Sequence, residues 1–196
     1  MNKKYLLLII PLIAVLFLLA GCNKTQTQNQ YQPDTINEES QQEIPHYDPD
    51  KVQEQKKVYD APEFEVTTIE GKVITLSSHL QETNKPLVLY FWATWCPFCK
   101  QDFENLKNIY PQYKDKVDFL AVDLDTTETI DQIKNYQQKN GYTWQFAPGN
   151  LDILQSYNIK STTSKFGITP QQKITYLKAG VINSAEWDSL FKSLIS

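Results

Sequence analysis

The stretch YFWATWCPFCKQDF, residues 90–103, decides the fold of this chain. It opens inside a continuous apolar run, PLVLYFWA (residues 86–93), which is typical of a strand buried on both faces of a sheet. It closes inside a predicted helix that has one apolar face and that Pro111 is expected to end. Cys96 and Cys99 lie at the junction between the two. A Cys-x-x-Cys motif in a strand–helix–strand setting is a redox signature.

The position of the first cysteine favours reactivity. Pro97 suits the first residue of a helix, because proline has no N–H to leave unpaired there. Cys96 is then predicted to be the N-cap, with its sulfur facing free amide groups and the positive end of the helix dipole. Both features favour a thiolate, so we predict that Cys96 is the nucleophile. Cys99 points back toward the same sulfur one turn later, so we expect it to resolve mixed disulfides.

Two other uses of the cysteine pair stay open at this point. One is a structural disulfide, although so short a loop removes little entropy from the unfolded chain. The other is half of a metal site, although zinc usually takes four ligands and the two histidines, His46 and His79, do not stand at ligand spacing. Redox chemistry without a metal is the favoured interpretation.

Residues 1–21 have the pattern of an export signal, because Lys3 and Lys4 precede an apolar run that extends to Ala20. A retained membrane anchor is the alternative, since the run approaches spanning length. The ending LLAGC (residues 18–22) resembles the bacterial lipobox, which implies cleavage before Cys22 and attachment of lipid to that cysteine. We therefore expect an extracytoplasmic protein, lipid-anchored to a bacterial cell membrane through Cys22, in a compartment where disulfides persist.

The rest of the chain divides into a tether and a domain. Residues 22–57 are rich in Gln, Asn, Thr, Glu and Pro, which predicts a disordered tether. Residues 58–196 are predicted to form the globular domain. The net charge is −4 and all 19 basic residues are lysines. This charge offers no basic surface for nucleic acid, and the lack of arginine excludes bidentate arginine clamps.

Hydrophobic patterns predict an α/β domain whose sheet is covered on both faces. We expect two short strands within residues 63–76, around a turn at residues 70–71, and buried strands at 86–93 and 116–124. A helix over 127–140 should end before Gly141, and a loop should carry Trp144 and Phe146. The remaining predicted elements are a short helix at 152–157, strands at 165–169 and 173–178 joined at Pro170, and a helix over 184–194 with a capping box of Asn183 and Glu186.

Four segments carry a resemblance to a known family: residues 61–80, 86–106, 117–125 and 156–169. Together they resemble the thioredoxin superfamily, and within it the TlpA/ResA-type extracytoplasmic thiol-disulfide oxidoreductases. The resemblance implies a thioredoxin fold, with a central mixed β-sheet flanked by helices and an N-terminal β-hairpin extension. It also implies disulfide exchange by a monomer with exported cysteine-containing proteins, and a membrane redox partner that resets the pair. No organic cofactor is expected, because electrons move through the Cys96–Cys99 disulfide itself.

The resemblance also assigns roles around the cysteines. Asp102 stands where the subfamily often has a glutamate, which implies a proton acceptor near the buried thiol. The alternative is an acid that the helix dipole favours in the first turn. Tyr90 stands where cytoplasmic thioredoxins have a buried aspartate, so that proton path is predicted to be missing. Trp95, Pro97 and Phe98 surround the cysteines and are predicted to contact substrate.

The main departure from the family lies at Thr163, where a cis-proline is normal. A cis bond before a non-proline residue costs roughly 2.5 to 4 kcal/mol, so we predict a trans peptide. Thr162 and Thr163 are predicted to border the substrate site, with the Thr163 hydroxyl near the thiolate, and Thr163→Pro is predicted to leave the fold intact. Gly167 is expected to weaken or bend its strand. The alternative functions are a metal-binding or metal-delivery lipoprotein that uses Cys96 and Cys99, and an inactive lipoprotein, against which the intact WCPFCK motif argues.

Overall fold

The computed structural model describes residues 58–196. The predicted export signal, the lipidated Cys22 and the predicted tether lie outside the described residues. Within residues 58–196, no helix is both long enough and apolar enough to cross a membrane.

A six-stranded mixed sheet forms the centre of this domain. The strands of residues 58–196 are β1 (Tyr59–Asp60), β2 (Glu65–Thr67), β3 (Val73–Thr75), β4 (Leu87–Trp92), β5 (Asp118–Asp123), β6 (Gln145–Pro148), β7 (Ser164–Ile168) and β8 (Lys173–Lys178). The sheet order is β1-β8-β7-β4-β5-β6, while β2 and β3 form a separate antiparallel hairpin. β4 pairs in parallel with β5 and antiparallel with β7. The predicted mixed sheet and hairpin extension are confirmed.

Helices flank the sheet and begin at side-chain caps. The helices of the same residues are α1 (Leu76–Thr83), α2 (Pro97–Lys107), α3 (Ile130–Asn140), α4 (Leu151–Ser156) and α5 (Ser184–Ile195). Asn183 and Glu186 form the predicted capping box of α5. Gly141 follows α3 in the left-handed conformation (φ 67°), as its sequence position predicted. These caps fix the helix boundaries close to where the sequence placed them.

The central strand β4 is buried on both faces, as its continuous apolar run predicted. Val88, Tyr90 and Trp92 point into one core, which the inner faces of α2 and α5 complete. The alternate residues of β4 point into a second core on the opposite face, where α1 and α4 pack. Burial of a helix face against each side of the sheet therefore holds the end of β4, and the cysteines after it, in a fixed place.

Three sequence predictions about local structure were wrong. Phe146 was predicted to lie in a loop with Trp144, but it belongs to β6, which pairs with β5, whereas Trp144 does precede the strand. Leu76 was expected to continue a strand, but Thr75 accepts the Ser78 N–H and starts α1 there. Pro111 does not end the long helix, since α2 stops at Lys107 and Pro111 lies inside a short 3₁₀ turn. At Phe146 a neighbouring strand, and at Leu76 a side-chain cap, thus outweighed the sequence pattern.

Gly167 lies at an irregularity in the pairing of β7 and leaves room for α5 against the sheet. The pairing of β7 with β8 shifts register between Gly167 and Ile168, so the predicted irregularity is present. A Cβ atom at Gly167 would lie 3.0 Å from the Tyr176 Cβ, 3.1 Å from Leu194 Cδ2 and 3.2 Å from Leu190 Cδ1. The missing side chain thus lets α5 pack directly against the sheet.

Candidate active site

Cys96 lies at the start of α2, immediately beyond the end of β4. Its backbone is extended (φ −84°, ψ 108°), and Pro97 occupies the first turn of the helix. The Cys99 N–H donates to Cys96 Sγ over 3.0 Å. The sulfur therefore takes the place of a capping oxygen, as the sequence predicted, and receives one of the free amide groups at the positive end of the helix.

Cys96 and Cys99 form a disulfide, with 5.3 Å between their Cα atoms. Cys96 retains 2% of its surface exposed, whereas Cys99 has none. A reacting thiolate or disulfide can therefore approach the pair only from the Cys96 side. This asymmetry agrees with the predicted order, in which Cys96 attacks and Cys99 resolves.

The residues around Cys96 present apolar surface to solvent. Trp95 and Phe98 are 60% and 63% exposed, unusually high for large apolar side chains, and Pro97 is exposed between them. The Trp95 Nε1–H donates to Asp125 Oδ2 over 2.8 Å, which fixes the orientation of the indole ring. The rim of the disulfide thus exposes two large apolar side chains.

A cleft of about 420 Å³ borders Trp95. Its other lining residues are Leu124, Leu154, Ile159, Lys160, Ser161 and Thr162. Trp95 and Thr162, which the sequence placed in one substrate site, therefore lie on the same cleft. Phe98 and Thr163 are not among its lining residues.

Thr163 is buried and holds a strained backbone. Residues 58–196 contain no cis peptide bond, which confirms the predicted trans geometry. Thr163 has φ 65°, its N–H donates to the Phe91 carbonyl over 2.8 Å, and its hydroxyl accepts the Gly180 N–H over 2.9 Å. That hydroxyl also donates to the Thr162 carbonyl, so its hydrogen bonds go to backbone rather than to a cysteine.

This geometry argues against the prediction that Thr163→Pro leaves the fold intact. Proline fixes φ near −65° and has no N–H. The substitution would break the hydrogen bond to Phe91 and would demand a different backbone at Thr163.

Asp102 is fully buried on α2, one turn after Cys99. Its Oδ2 accepts the Tyr90 hydroxyl at 2.9 Å and lies 2.8 Å from Lys165 Nζ, while its Oδ1 accepts the Ile182 N–H at 2.9 Å. Asp102 is therefore not a solvated acid of the helix start. Tyr90 was predicted to lack the proton path that a buried aspartate would supply at this position. In the structure its hydroxyl donates to Asp102, which connects β4 to α2.

Sequence reasoning missed Lys165, which is fully buried in β7. Its ammonium lies 5.2 Å from the centre of the Tyr90 ring and 5.6 Å from that of Trp187. Burial lowers the pKa of Lys165, and the neighbouring Asp102 carboxylate opposes that shift. The one available signal was a lysine inside an otherwise apolar strand. Nothing in the sequence showed that its partner would come from α2.

An acidic group supports the loop before Cys96. Glu128 accepts the Thr94 N–H over 3.1 Å and the Thr94 hydroxyl. Asp123, at the end of β5, is fully buried, and its Oδ2 accepts no hydrogen bond within the described chain. Burial raises the pKa of Asp123 to about 8, and the nearby Glu128 carboxyl contributes to the rise. Asp123 is therefore protonated at neutral pH.

We expect Asp123→Asn to make the protein relatively more stable as the pH rises. The pKa of Asp123 is about 8 in the folded protein and about 3.9 in an unfolded chain, so between these values the folded state holds a proton that the unfolded state lacks. The wild type therefore loses stability from about pH 4 up to about pH 8, by about 1.4 kcal/mol for each pH unit crossed. Asparagine resembles the neutral carboxyl and does not titrate, so Asp123→Asn should not lose stability in this way as the pH rises.

Urea unfolding at pH 5 and pH 8 measures this effect as the difference between Asp123→Asn and the wild type. The gap should widen at pH 8 in favour of the variant. Asp188→Asn on α5 is the control, because the Lys192 ammonium and the Tyr113 hydroxyl hold the pKa of Asp188 below its ordinary value. A gap that stays constant with pH for Asp123→Asn would show that this carboxyl is not protonated in the folded protein.

Comparison with known proteins extends these observations. The thiol-disulfide oxidoreductase ResA of Bacillus thuringiensis (strain Al Hakam) is 32% identical over 117 residues, covering 59% of this chain and 65% of that protein. The chain thus matches less than two thirds of that relative's length.

Solved structures share the fold. A thiol:disulfide interchange protein of the thioredoxin family from Chlorobium tepidum TLS gives a TM-score of 0.60 at 21% identity, covering 71% of this chain and 98% of that one. StoA from Bacillus subtilis gives a TM-score of 0.55 at 22% identity, covering 66% of this chain and 96% of that one. The thioredoxin fold is therefore confirmed. The sequence pattern of the AhpC/TSA family matches residues 59–177, more than half of the chain, and the chain belongs to this family.

Proposed function

We propose that this protein is a thiol-disulfide oxidoreductase in which Cys96 is the nucleophile and Cys99 the resolving thiol. The observation that carries the proposal is the Cys96–Cys99 disulfide at the start of α2, with Cys96 as the cap and Cys99 buried behind it. The relative ResA is named a thiol-disulfide oxidoreductase, which supports the same activity for this chain. The helix dipole and the Cys99 amide both stabilise negative charge on Cys96, which an attacking or leaving thiolate carries.

The exchange balances without a further reactant. In the reducing direction, the Cys96 thiolate attacks a substrate disulfide, so a bond forms between Cys96 and one substrate sulfur as the other leaves as a thiolate. Cys99 loses its proton and attacks Cys96 Sγ, which releases the second substrate thiol. The substrate gains two electrons and the protein gains its disulfide. The oxidising direction is the reverse, and neither needs an organic cofactor.

The setting of this chemistry is also part of the proposal. The lipobox-like LLAGC and the polar segment 22–57 support a domain that is tethered to the membrane through lipid on Cys22. Substrates would then be exported cysteine-containing proteins, and a membrane redox protein would reset the pair. The exposed Trp95 and Phe98 support contact with apolar segments of such substrates.

Reduction of insulin by the full chain, with dithiothreitol as the electron source, tests the activity. The wild type should accelerate the reaction, and the double variant Cys96→Ser/Cys99→Ser should be no faster than dithiothreitol alone. Equal rates for the wild type and the double variant, with both proteins folded, would refute the proposed activity.

The tether has its own test. Cys22→Ala should leave the signal uncleaved or release the protein from the membrane, because no cysteine remains to carry lipid. Fractionation of cells and mass spectrometry of the mature N-terminus measure both results. A wild-type protein that is secreted without lipid would contradict the tether and leave the activity untouched.

The metal-binding alternative gains no support from the described residues. In the 58–196 region, no group of three or more His, Cys, Asp or Glu side chains is placed to hold a metal ion. His79 instead packs with Nε2 3.1 Å from Asp118 Oδ2, well separated in sequence from the cysteines. Cys96 and Cys99 would supply two ligands of a zinc site that usually needs four.

A further inference from the structure

We propose that Lys165 is a positioning residue for disulfide exchange, which keeps the Asp102 carboxylate charged and fixed one helical turn from Cys99. The proposal rests on the proposed function, because it gives the buried lysine a role in that reaction. Three features of the structure support it: the hydrogen bonds of the Lys165 ammonium, the hydrogen bonds of the Asp102 carboxylate, and the link from Lys165 to the loop beside the cleft.

Every donor of the Lys165 ammonium has a partner. Nζ lies 2.8 Å from Asp102 Oδ2, and it donates to the Thr163 carbonyl over 3.0 Å and to the Gly180 carbonyl over 2.5 Å. Three acceptors around a fully buried nitrogen match the three N–H groups of the charged form. The faces of two aromatic rings, Tyr90 and Trp187, add to the attraction for a cation.

The carboxylate is equally well satisfied. Asp102 receives the Tyr90 hydroxyl, the Ile182 N–H and the Lys165 ammonium, and all three are donors. A protonated carboxyl would have to give up one of these contacts, so the arrangement fits the ionised form. Cys99 and Asp102 are three residues apart on α2 and both are fully buried. Side chains at this spacing are neighbours on a helix, which puts a fixed negative charge beside the resolving thiol.

Lys165 also ties this helix to the loop beside the cleft. The Thr163 carbonyl accepts from Lys165, and the Thr163 hydroxyl accepts the Gly180 N–H. Thr162, the residue before it, lines the cleft that borders Trp95. The buried Lys165 ammonium thus connects Asp102, which is near Cys99, to the loop of Thr162 and Thr163 that borders the cleft beside Trp95.

Other titratable groups act on Lys165 from the surrounding elements. Tyr90 on β4 and Asp102 on α2 are in direct contact, while the charges of Lys178 on β8 and Glu186 on α5 also act on it. Burial and the Asp102 charge hold the pKa of Tyr90 well above its ordinary value, so Tyr90 stays neutral. Lys178 and Glu186 pair with each other at the surface. Loss of Lys165 would therefore leave the fully buried Asp102 carboxylate without its cation partner.

The test is Lys165→Met in the full chain, with the rate of insulin reduction followed from pH 5 to pH 9. Wild-type exchange must be present first, because its absence would refute the proposed function rather than this inference. The variant should slow exchange on the order of tenfold or more, as a displaced reacting group does. It should also add a step to the pH profile of the exchange rate that the wild type lacks.

Two further variants make the result decisive. Lys173→Met carries the same substitution at the start of β8, where the lysine is exposed and pairs with Asp60, and it should keep the wild-type rate and profile. Lys165→Met/Asp102→Asn has no unpaired charge, so it should fold even if the single variant does not. It should lack the added step, and it should be no slower than Asp102→Asn alone. A wild-type profile in a folded Lys165→Met protein, a uniform slowing without a new step, or additive losses in the double variant would each overturn the proposal.

Discussion

Cys99→Ser should accumulate a covalent complex with its substrate, and Cys96→Ser should accumulate none. Without Cys99, the mixed disulfide on Cys96 has no internal thiolate to resolve it. Without Cys96, the remaining thiol lies fully buried behind the start of α2 and cannot reach a substrate disulfide. Either substitution should remove nearly all steady-state turnover, because the two cysteines act as one unit.

The complex is measured by non-reducing electrophoresis and mass spectrometry after the reduced variants are mixed with insulin. The bond should map to Cys96, and dithiothreitol should dissolve the complex. Phe98→Ala is a control, since it keeps both cysteines and should trap nothing. Equal trapping by Cys96→Ser and Cys99→Ser would contradict the order of attack that the burial of the two residues implies.

Phe103→Ala should destabilise the domain by about 3–5 kcal/mol, which is typical of a phenylalanine removed from a packed core. Phe103 lies on the inner face of α2 and is fully buried. Its ring packs at 5.0–5.8 Å, centre to centre, from those of Tyr90, Trp92, Tyr142, Trp144 and Phe146. The cavity would open beneath the same helix that carries both cysteines, so we expect exchange to weaken as well.

Phe98→Ala is the matched control for this prediction. It is the same substitution on the same helix, but its side chain is 63% exposed, so its effect on the free energy of unfolding should stay within about 0.5 kcal/mol. Urea unfolding of the oxidised proteins, followed by tryptophan fluorescence, gives both values. Similar losses for the two variants would mean that the core beneath α2 is not packed as described.

The sequence predicted the part of the site that local rules control. The apolar run into β4, Pro97 after Cys96 and the capping box at Asn183 depend on neighbours within a few residues, and each prediction was confirmed. Predictions about interactions between distant segments were less successful. Phe146 forms a strand because β5 lies beside it, and this pairing outweighs the loop-like surroundings in the sequence.

The buried polar cluster shows the same limit. A carboxylate at Asp102 was singled out from the sequence, but its partners come from β4, β7 and the segment before α5. Thr163 was expected to depart from the family, and its trans peptide was predicted. Its left-handed backbone depends on contacts with Phe91 and Gly180, which no local pattern encodes. Partner choice across the sheet is a property of the whole fold.

The place of β4 in the sheet has a consequence for how the chain matures. β4 carries the cysteines at its end, yet one of its two neighbours is β7, which is made after most of the domain. A chain that emerges from its N-terminus therefore exposes Cys96 and Cys99 before the sheet that shelters them is complete. Since the only other cysteine is Cys22, early oxidation of the pair forms the native bond. A non-native bond within this chain can involve only Cys22, so the sequence leaves little for a disulfide isomerase to correct.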